Sequence, residues 1–280
     1  MDAVILLNKP AGMTSFDAVA KCRKIFHERK IGHTGTLDPE ASGLMIILLG
    51  KYTKLLPYCV KNHKAYQATL KLGEMTDTED VWGTVINTKT PSIHTDAEIA
   101  NAVQSLTGDI LQVPPMYSAL KKDGKKLYEY ARQGIEVERE ARPVHISSLK
   151  VEKIDELNYR MDAVVSSGTY IRTLITDFGK QLDELAIMSS LIRTKIEHLS
   201  LKDACTFEDL ESGESFLSPI QVIDPTYKIV ETDRVVDIKN GKRIKLDIRD
   251  PQVIFTSNGE LLAAYELQED GLYHCLRGLF

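Results

Sequence analysis

Residues 32–45 read GHTGTLDPEASGLM, and the folding of this stretch decides how the rest of the chain is understood. Glycines at 32, 35 and 43 and the Asp38-Pro39 pair make it a bending segment, because glycine reaches backbone angles closed to other residues and Asp-Pro initiates turns. The apolar run at 45–49 suits a buried strand closed by Gly50. Asp38 is therefore expected on a loop that feeds a core strand. A simple Asp-Pro turn accounts for that placement but leaves the basic flanks unexplained.

Upstream, residues 3–7 form a short apolar run suited to a strand, and Asn8-Lys9-Pro10-Ala11-Gly12 is expected to break it. Thr14 or Ser15 caps a helix in which Val19, Ala20, Ile25 and Phe26 recur at helical spacing, ending near Glu28 with a basic outer face. Downstream, residues 66–72 alternate with period two, so the inward face of this half-buried strand begins at Tyr66. An acidic loop (74–83), a short strand (84–87) and a helix (96–106) follow. A Lys-rich turn with Lys121, Lys122, Lys125 and Lys126 runs into a helix bearing Tyr128, Tyr130 and Arg132. Strands are expected at 144–154 and 159–165, and then a helix capped by Thr169 and stopped by Gly179, with Tyr170 and Arg172 in its first turn.

Composition sets the bounds. A chain of 280 residues buries a full core without staples, and Cys22, Cys59, Cys205 and Cys275 lie too far apart for a disulfide framework or a zinc site. No apolar stretch reaches membrane-spanning length and no basic segment precedes the first apolar run, so a cytoplasmic protein with reduced thiols and no membrane association is expected. The net charge of −5 hides a segregation. Between residues 20 and 73 ten Lys and Arg face three acids, a local charge of +7, whereas from 201 onward nine face fifteen, a local −6. Such a basic stretch fits phosphate binding or a merely solvated face equally well.

The alternation of strands and helices is irregular, with hairpin signals beside crossovers. It predicts an α+β protein with a mixed, largely antiparallel central sheet flanked by helices. A boundary near Asp224-Pro225 divides a domain of residues 1–225 from a small C-terminal β domain, 226–280, which is acidic and turn-rich at Asn240-Gly241 and Asn258-Gly259.

The glycines around Thr36 invite a phosphate-cradle interpretation, but the P-loop string G-x-x-x-x-G-K-[ST] is absent. An aspartyl-phosphate enzyme has no nucleotide motif behind it either. The stretch instead resembles the signature of the TruB family of pseudouridine synthases, G-H-T-G-x-L-D-P-x-A-x-G, which residues 32–43 match at each specified position. Asn8-Lys9-Pro10, Gly12 and Thr14-Ser15 resemble the family's N-terminal motif. His63-Lys64-Ala65-Tyr66, the Leu72-Gly73 pair and Thr76-Asp77-Thr78-Glu79-Asp80 resemble its tyrosine strand and acidic loop. Pro114-Pro115 with Ser118-Ala119, and Ser167-Gly168-Thr169-Tyr170-Ile171-Arg172, complete the set in the family's order.

The resemblance implies the pseudouridine synthase fold and a cofactor-free, metal-free isomerisation of uridine 55 in the T-loop of tRNA. Asp38 becomes the catalytic carboxylate, Arg172 its ion-pair partner, and Tyr66 the residue stacked on the target base. His33 enters the T-loop, Tyr170 and Leu191 wall the pocket, and Lys9 with Pro10 buttresses the catalytic loop. Breaking a glycosidic bond and rejoining the base through carbon 5 needs a positioned carboxylate, to attack or to take a proton, and no redox step. Phosphate contacts are expected from Lys21, Arg23, Lys24, Lys51, Lys54, Lys64 and the lysines of 121–126. The enzyme is expected to act on the tRNA T-arm as a monomer without a protein partner. The alternative is a tRNA-binding folding chaperone whose role does not depend on catalysis.

Overall fold

The first apolar run forms β1 (Ala3–Lys9), which continues through Asn8 and Lys9 instead of breaking there. The reason is that the Asn8 N–H is taken up by the Cys205 carbonyl at 2.8 Å and that Lys9 is fully buried. Thr14, not Ser15, caps α1 (Ser15–Phe26), in a reciprocal capping box with Asp17. Residues 31–34, expected in a loop, form β2 (Ile31–Thr34), and β3 (Ser42–Leu49) starts three residues before the apolar run. The bending segment thus shrinks to residues 35–41. Both β1 and β2 run antiparallel to β3, whose residues from Gly43 onward are all buried.

The computed structural model describes residues 1–213 and 216–280. They divide into two compact units, one of residues 1–61 and 198–280, the other of residues 62–197.

The second unit holds β4 (His63–Leu72), β5 (Glu74–Thr76), β6 (Val85–Thr88), α2 (Asp96–Ser105) and β7 (Gly108–Gln112). They are followed by β8 (Lys121–Lys122), β9 (Lys125–Lys126), α3 (Leu127–Ala131), β10 (Arg142–Lys153), β11 (Asn158–Ser166), α4 (Ile171–Gln181) and β12 (Ala186–Ile196). Within this unit the sheet order is β12-β4-β11-β10-β7, with each neighbouring pair antiparallel. The acidic loop is the tip of a small β5–β6 hairpin, and β7 was invisible as a separate strand.

Two expectations for α4 fail. Its N-cap is Tyr170, with no side-chain cap, while the Thr169 hydroxyl stands 3.5 Å from Ser166 Oγ. Gly179 does not stop the helix, which runs on to Gln181. Its role is steric: a Cβ there would lie 2.6 Å from Ala186 Cβ and 2.9 Å from the Glu184 carbonyl oxygen. Tyr159 and Phe178 meet edge to face at 6.5 Å between α4 and the sheet.

In the first unit, residues 228–278 carry a four-stranded sheet. Lys228–Glu231 runs parallel to Gln252–Ser257, and Glu260–Leu267 and Tyr273–Gly278 continue it antiparallel. Ile238, Val253, Phe255, Leu262, Tyr265 and Tyr273 are among the buried residues of its own core. Asn258 and Gly259, at φ 50° and 79°, make the hairpin turn, the geometry that favours an Asn-Gly pair. Asn240-Gly241 instead ends the short helix Val235–Lys239. The protein is α+β, its sheets largely antiparallel, with an extra C-terminal sheet, as expected. Among the described residues no helix is long and apolar enough to cross a membrane.

Since the backbone around Gly179 cannot retreat, Gly179→Ala is expected to destabilise the protein by about 1–3 kcal/mol despite alanine's better helix propensity. Urea unfolding checks this, and an unchanged or raised midpoint would contradict the packing described.

Candidate functional site

Asp38 opens a turn with Pro39 in its second position, closed by the Ala41 N–H donating to the Asp38 carbonyl oxygen at 3.1 Å. The backbone is pinned on both sides of it. Before it, Ser15 Oγ accepts the Leu37 N–H at 2.9 Å and donates to the Leu37 carbonyl at 3.1 Å. After it, the Pro39 carbonyl accepts from the Gly12 N–H and from Lys9 Nζ, both at 3.1 Å. Lys9 Nζ also donates to the carbonyls of Pro10 at 2.8 Å and Met13 at 2.7 Å. Ser15 is 1 % exposed and Lys9 0 %, so the Ser15 bonds to Leu37 are buried and those of Lys9 partly so, while Asp38 itself is half-buried. His33, on β2, is half-buried; its ring meets Phe16 edge to face at 5.7 Å, and its Nε2 lies 3.4 Å from Thr36 Oγ1. Phe16 is 70 % exposed.

In residues 62–197 the sheet brings a second group together. Tyr66 on β4 lies opposite Ala163 on β11 and Arg193 on β12, and Ala68 lies opposite Leu191. Directly opposed residues of antiparallel strands share a face, so Tyr66, Leu191 and Arg193 stand on one side of the sheet. Tyr66 is half-buried, whereas Leu191 and Arg193 are buried. Lys64, two residues before Tyr66, shares its face and donates to Ser167 Oγ at 3.2 Å. Burial, reinforced by the nearby Arg193 charge and opposed by Glu197, lowers the Lys64 ammonium to about 8.

Arg172 is the second residue of α4 and is buried, not the surface arginine that a helix position would suggest by default. Its Nη1 donates to the Thr78 carbonyl and its Nη2 to the Tyr117 carbonyl, each at 2.9 Å. The acidic loop is folded onto the same helix: Thr173 Oγ1 donates to Glu79 Oε2 at 2.7 Å. Burial raises the Glu79 pKa against the opposing pull of that hydroxyl and of Arg172. Asp77 accepts the Thr84 N–H at 2.7 Å, and Asp80 accepts the Thr78 hydroxyl at 2.6 Å and the Trp82 N–H at 3.1 Å. These aspartates order the loop. A cavity of about 460 Å³ behind it is lined by Asp77, Glu79, Tyr117 and Lys180 but by none of Tyr66, Tyr170, Arg172 or Leu191.

The basic residues separate into engaged and available ones. Lys21 lies over the Phe207 ring at 4.3 Å, Lys51 faces Asp2 at 3.9 Å, and Lys54 donates to the Phe280 carbonyl at 2.7 Å. Arg23, Lys24 and Lys121 are exposed, as is Lys125, whose ammonium lies 5.8 Å from the Tyr130 ring centre. The lysines of β8 and β9 flank an Asp123-Gly124 turn with φ 50° and 82°, and Tyr128 has Lys126 at 5.4 Å and Arg132 at 5.2 Å from its ring centre. Among the described residues no cluster of three or more His, Cys, Asp or Glu is arranged to hold a metal.

Sequence reasoning did not single out the Ser15 clamp on Leu37, the buried Arg193 or Gln112, which bonds the Tyr170 backbone. Ser15 was masked by its place beside the cap; Arg193 and Gln112 are polar residues whose burial only strand pairing reveals.

The family described as "TruB family pseudouridylate synthase (N terminal domain)" matches residues 23–171. The chain is 40 % identical to tRNA pseudouridine synthase B of Oceanobacillus iheyensis, over 95 % of this chain and 93 % of that one. It is 42 % identical to the protein of the same name from Clostridium perfringens strain SM101, with 96 % and 92 % covered. Against that of Mesoplasma florum it is 37 % identical, with 98 % and 97 % covered. Among solved structures, a chain of a Cbf5-Nop10-Gar1 complex has the same fold, with a TM-score of 0.72 at 23 % identity, covering 99 % of this chain and 85 % of that one. The bending segment around Asp38, the Tyr66 strand and the Arg172 helix all lie in or beside the matched region, and the chain belongs to the TruB family of pseudouridylate synthases, which are isomerases.

Proposed function

We propose that the protein isomerises uridine 55 in the T-loop of tRNA to pseudouridine, with the base flipped out and Asp38 as the essential carboxylate. The observation that carries this proposal is the turn at Asp38, pinned at the residues before and after it, in a chain about 40 % identical along nearly its whole length to proteins named tRNA pseudouridine synthase B. A carboxylate that must meet one sugar or ring atom gains from such fixing, because the cost of orienting it is met on folding instead of in the reaction.

Arg172 supplies the positive charge that the reaction uses, and Tyr66 stacks on the flipped base. Tyr170 and Leu191 wall the pocket, His33 enters the T-loop, and Lys9 holds the catalytic turn. Flipping costs a few kcal/mol, least in a loop, and aromatic stacking returns roughly 1–3 kcal/mol. The chemistry asks for no cofactor or metal. The protein works in the cytoplasm as a monomer without a protein partner, residues 1–225 forming the catalytic domain and 226–280 a small C-terminal β domain.

Three measurements test this. Asp38→Asn is expected to abolish isomerisation of a T-arm RNA while changing its Kd less than about threefold; retained turnover would remove Asp38 from the chemistry, and activity absent from wild type with tight binding would favour the folding chaperone. Replacing Lys64 and Lys125 together by Ala is expected to weaken RNA binding and to reduce the slope of log Kd against log salt by roughly one unit per lost phosphate contact. An unchanged slope would place the RNA elsewhere. Because burial brings the Lys64 ammonium to about 8 and phosphate favours its charged form, affinity is expected to be full below about pH 7 and to fall as pH rises through 8. Lys64→Arg, charged throughout, should flatten that fall; equal pH dependence in both proteins would exclude Lys64 as its source.

A further inference from the structure

Gln112 ends β7 and is 2 % exposed, and both of its amide atoms bond the backbone of a single residue 58 positions away. Its Oε1 accepts the Tyr170 N–H at 2.8 Å, and its Nε2 donates to the Tyr170 carbonyl at 3.1 Å. The partners fix the amide's orientation, since the N–H can only meet the oxygen and the carbonyl only the nitrogen. Tyr170 is the N-cap of α4 and has no side-chain cap of its own, so the amide fixes the backbone where the chain leaves the Gly168 turn and enters the helix.

Five residues beyond Gln112, the Tyr117 carbonyl accepts from Arg172 Nη2 at 2.9 Å. One stretch, QVPPMY, therefore touches the start of α4 at two points, once through a side chain and once through a carbonyl. Between them stand Pro114 and Pro115, whose fixed φ makes the spacing stiff, and Arg139 Nη1 donates to the Pro114 carbonyl at 3.0 Å. The strand end anchors one side of this stretch, because Gln112 pairs with Arg142 of β10.

We propose that Gln112 is a positioning residue for the isomerisation: through its amide it sets Tyr170, and through the stiff Gln112–Tyr117 stretch it sets the guanidinium of Arg172. This rests on the roles proposed above for Tyr170 and Arg172, but Gln112 itself touches neither substrate nor reacting atoms. A buried glutamine that only satisfied local backbone groups would matter for stability alone. A positioning residue must in addition affect the chemical step more than binding.

The test uses the full chain and an unmodified T-arm RNA, with single-turnover isomerisation and Kd measured separately. Gln112→Met keeps the volume but neither hydrogen bond, and is expected to lower the rate constant on the order of 10- to 100-fold with Kd within about threefold. Gln112→Glu keeps the shape. Its protonated carboxyl accepts the N–H and donates to the carbonyl as the amide does, and burial raises its pKa. Its single-turnover rate constant relative to wild type, with Kd unchanged and the folded fraction checked by circular dichroism at each pH, is expected to recover as pH falls from 8 to 6, whereas loss of stability alone would change the folded fraction and not the rate constant of folded enzyme. This variant carries the test should Gln112→Met not fold. Wild-type rates in both variants, equal losses in rate and binding, or no pH-dependent recovery in Gln112→Glu would each overturn the proposal. An inactive wild type would instead overturn the proposed function, so the two failures are distinguishable.

Discussion

The Lys9 ammonium, fully buried and donating to the carbonyls of Pro10, Met13 and Pro39, is the interaction on which the Asp38 turn depends. A buried charge is tolerated only where hydrogen bonds replace its water, and here backbone dipoles from two separate turns do so. The same cation therefore closes the Pro10–Met13 turn and fixes Pro39. Removing it would leave those three carbonyls without this shared donor and release both turns. Ser15 completes the arrangement at Leu37, so the backbone on either side of Asp38 is set by side chains from the first fifteen residues. An acidic side chain on a bending loop thereby gains the fixed geometry that a reacting group needs.

A similar economy holds in residues 62–197. Arg172 bonds the carbonyls of Thr78 and Tyr117, and Thr173 bonds Glu79, so one turn of α4 gathers the acidic loop and the segment after β7. Tyr66, Leu191 and Arg193 stand on β4 and β12, adjacent strands of the sheet, where position is set by register more than by loop conformation. Lys64 is drawn into the same face, and the cost of burying its charge is what brings its titration close to neutral pH.

Much of this was legible in the sequence because local rules and tertiary structure agree. The capping residue at Thr14, the alternation from Tyr66 to Leu72 and the Asn258-Gly259 hairpin all obey patterns that need no distant partner. The sequence misled where a distant group overrode the local signal. Asn8 and Lys9 look like turn formers, yet the Cys205 carbonyl and the three carbonyls that hold the Lys9 ammonium keep them in β1. Gly179 looks like a helix stop, yet it is required by the close approach of Glu184 and Ala186. Thr169 looks like a cap, but the helix start at Tyr170 is held by Gln112, 58 residues away. The candidate residues themselves were visible through a motif string; their supports were not, because burial of a polar side chain leaves no local signature.

The most direct test is to locate the product. Purified protein incubated without cofactors with a full-length unmodified tRNA, then treated with carbodiimide and read by primer extension, is expected to give a single new stop at the T-loop uridine. A stop elsewhere, or none despite saturating binding, would contradict the proposed isomerisation and leave the pinned Asp38 turn without its chemistry.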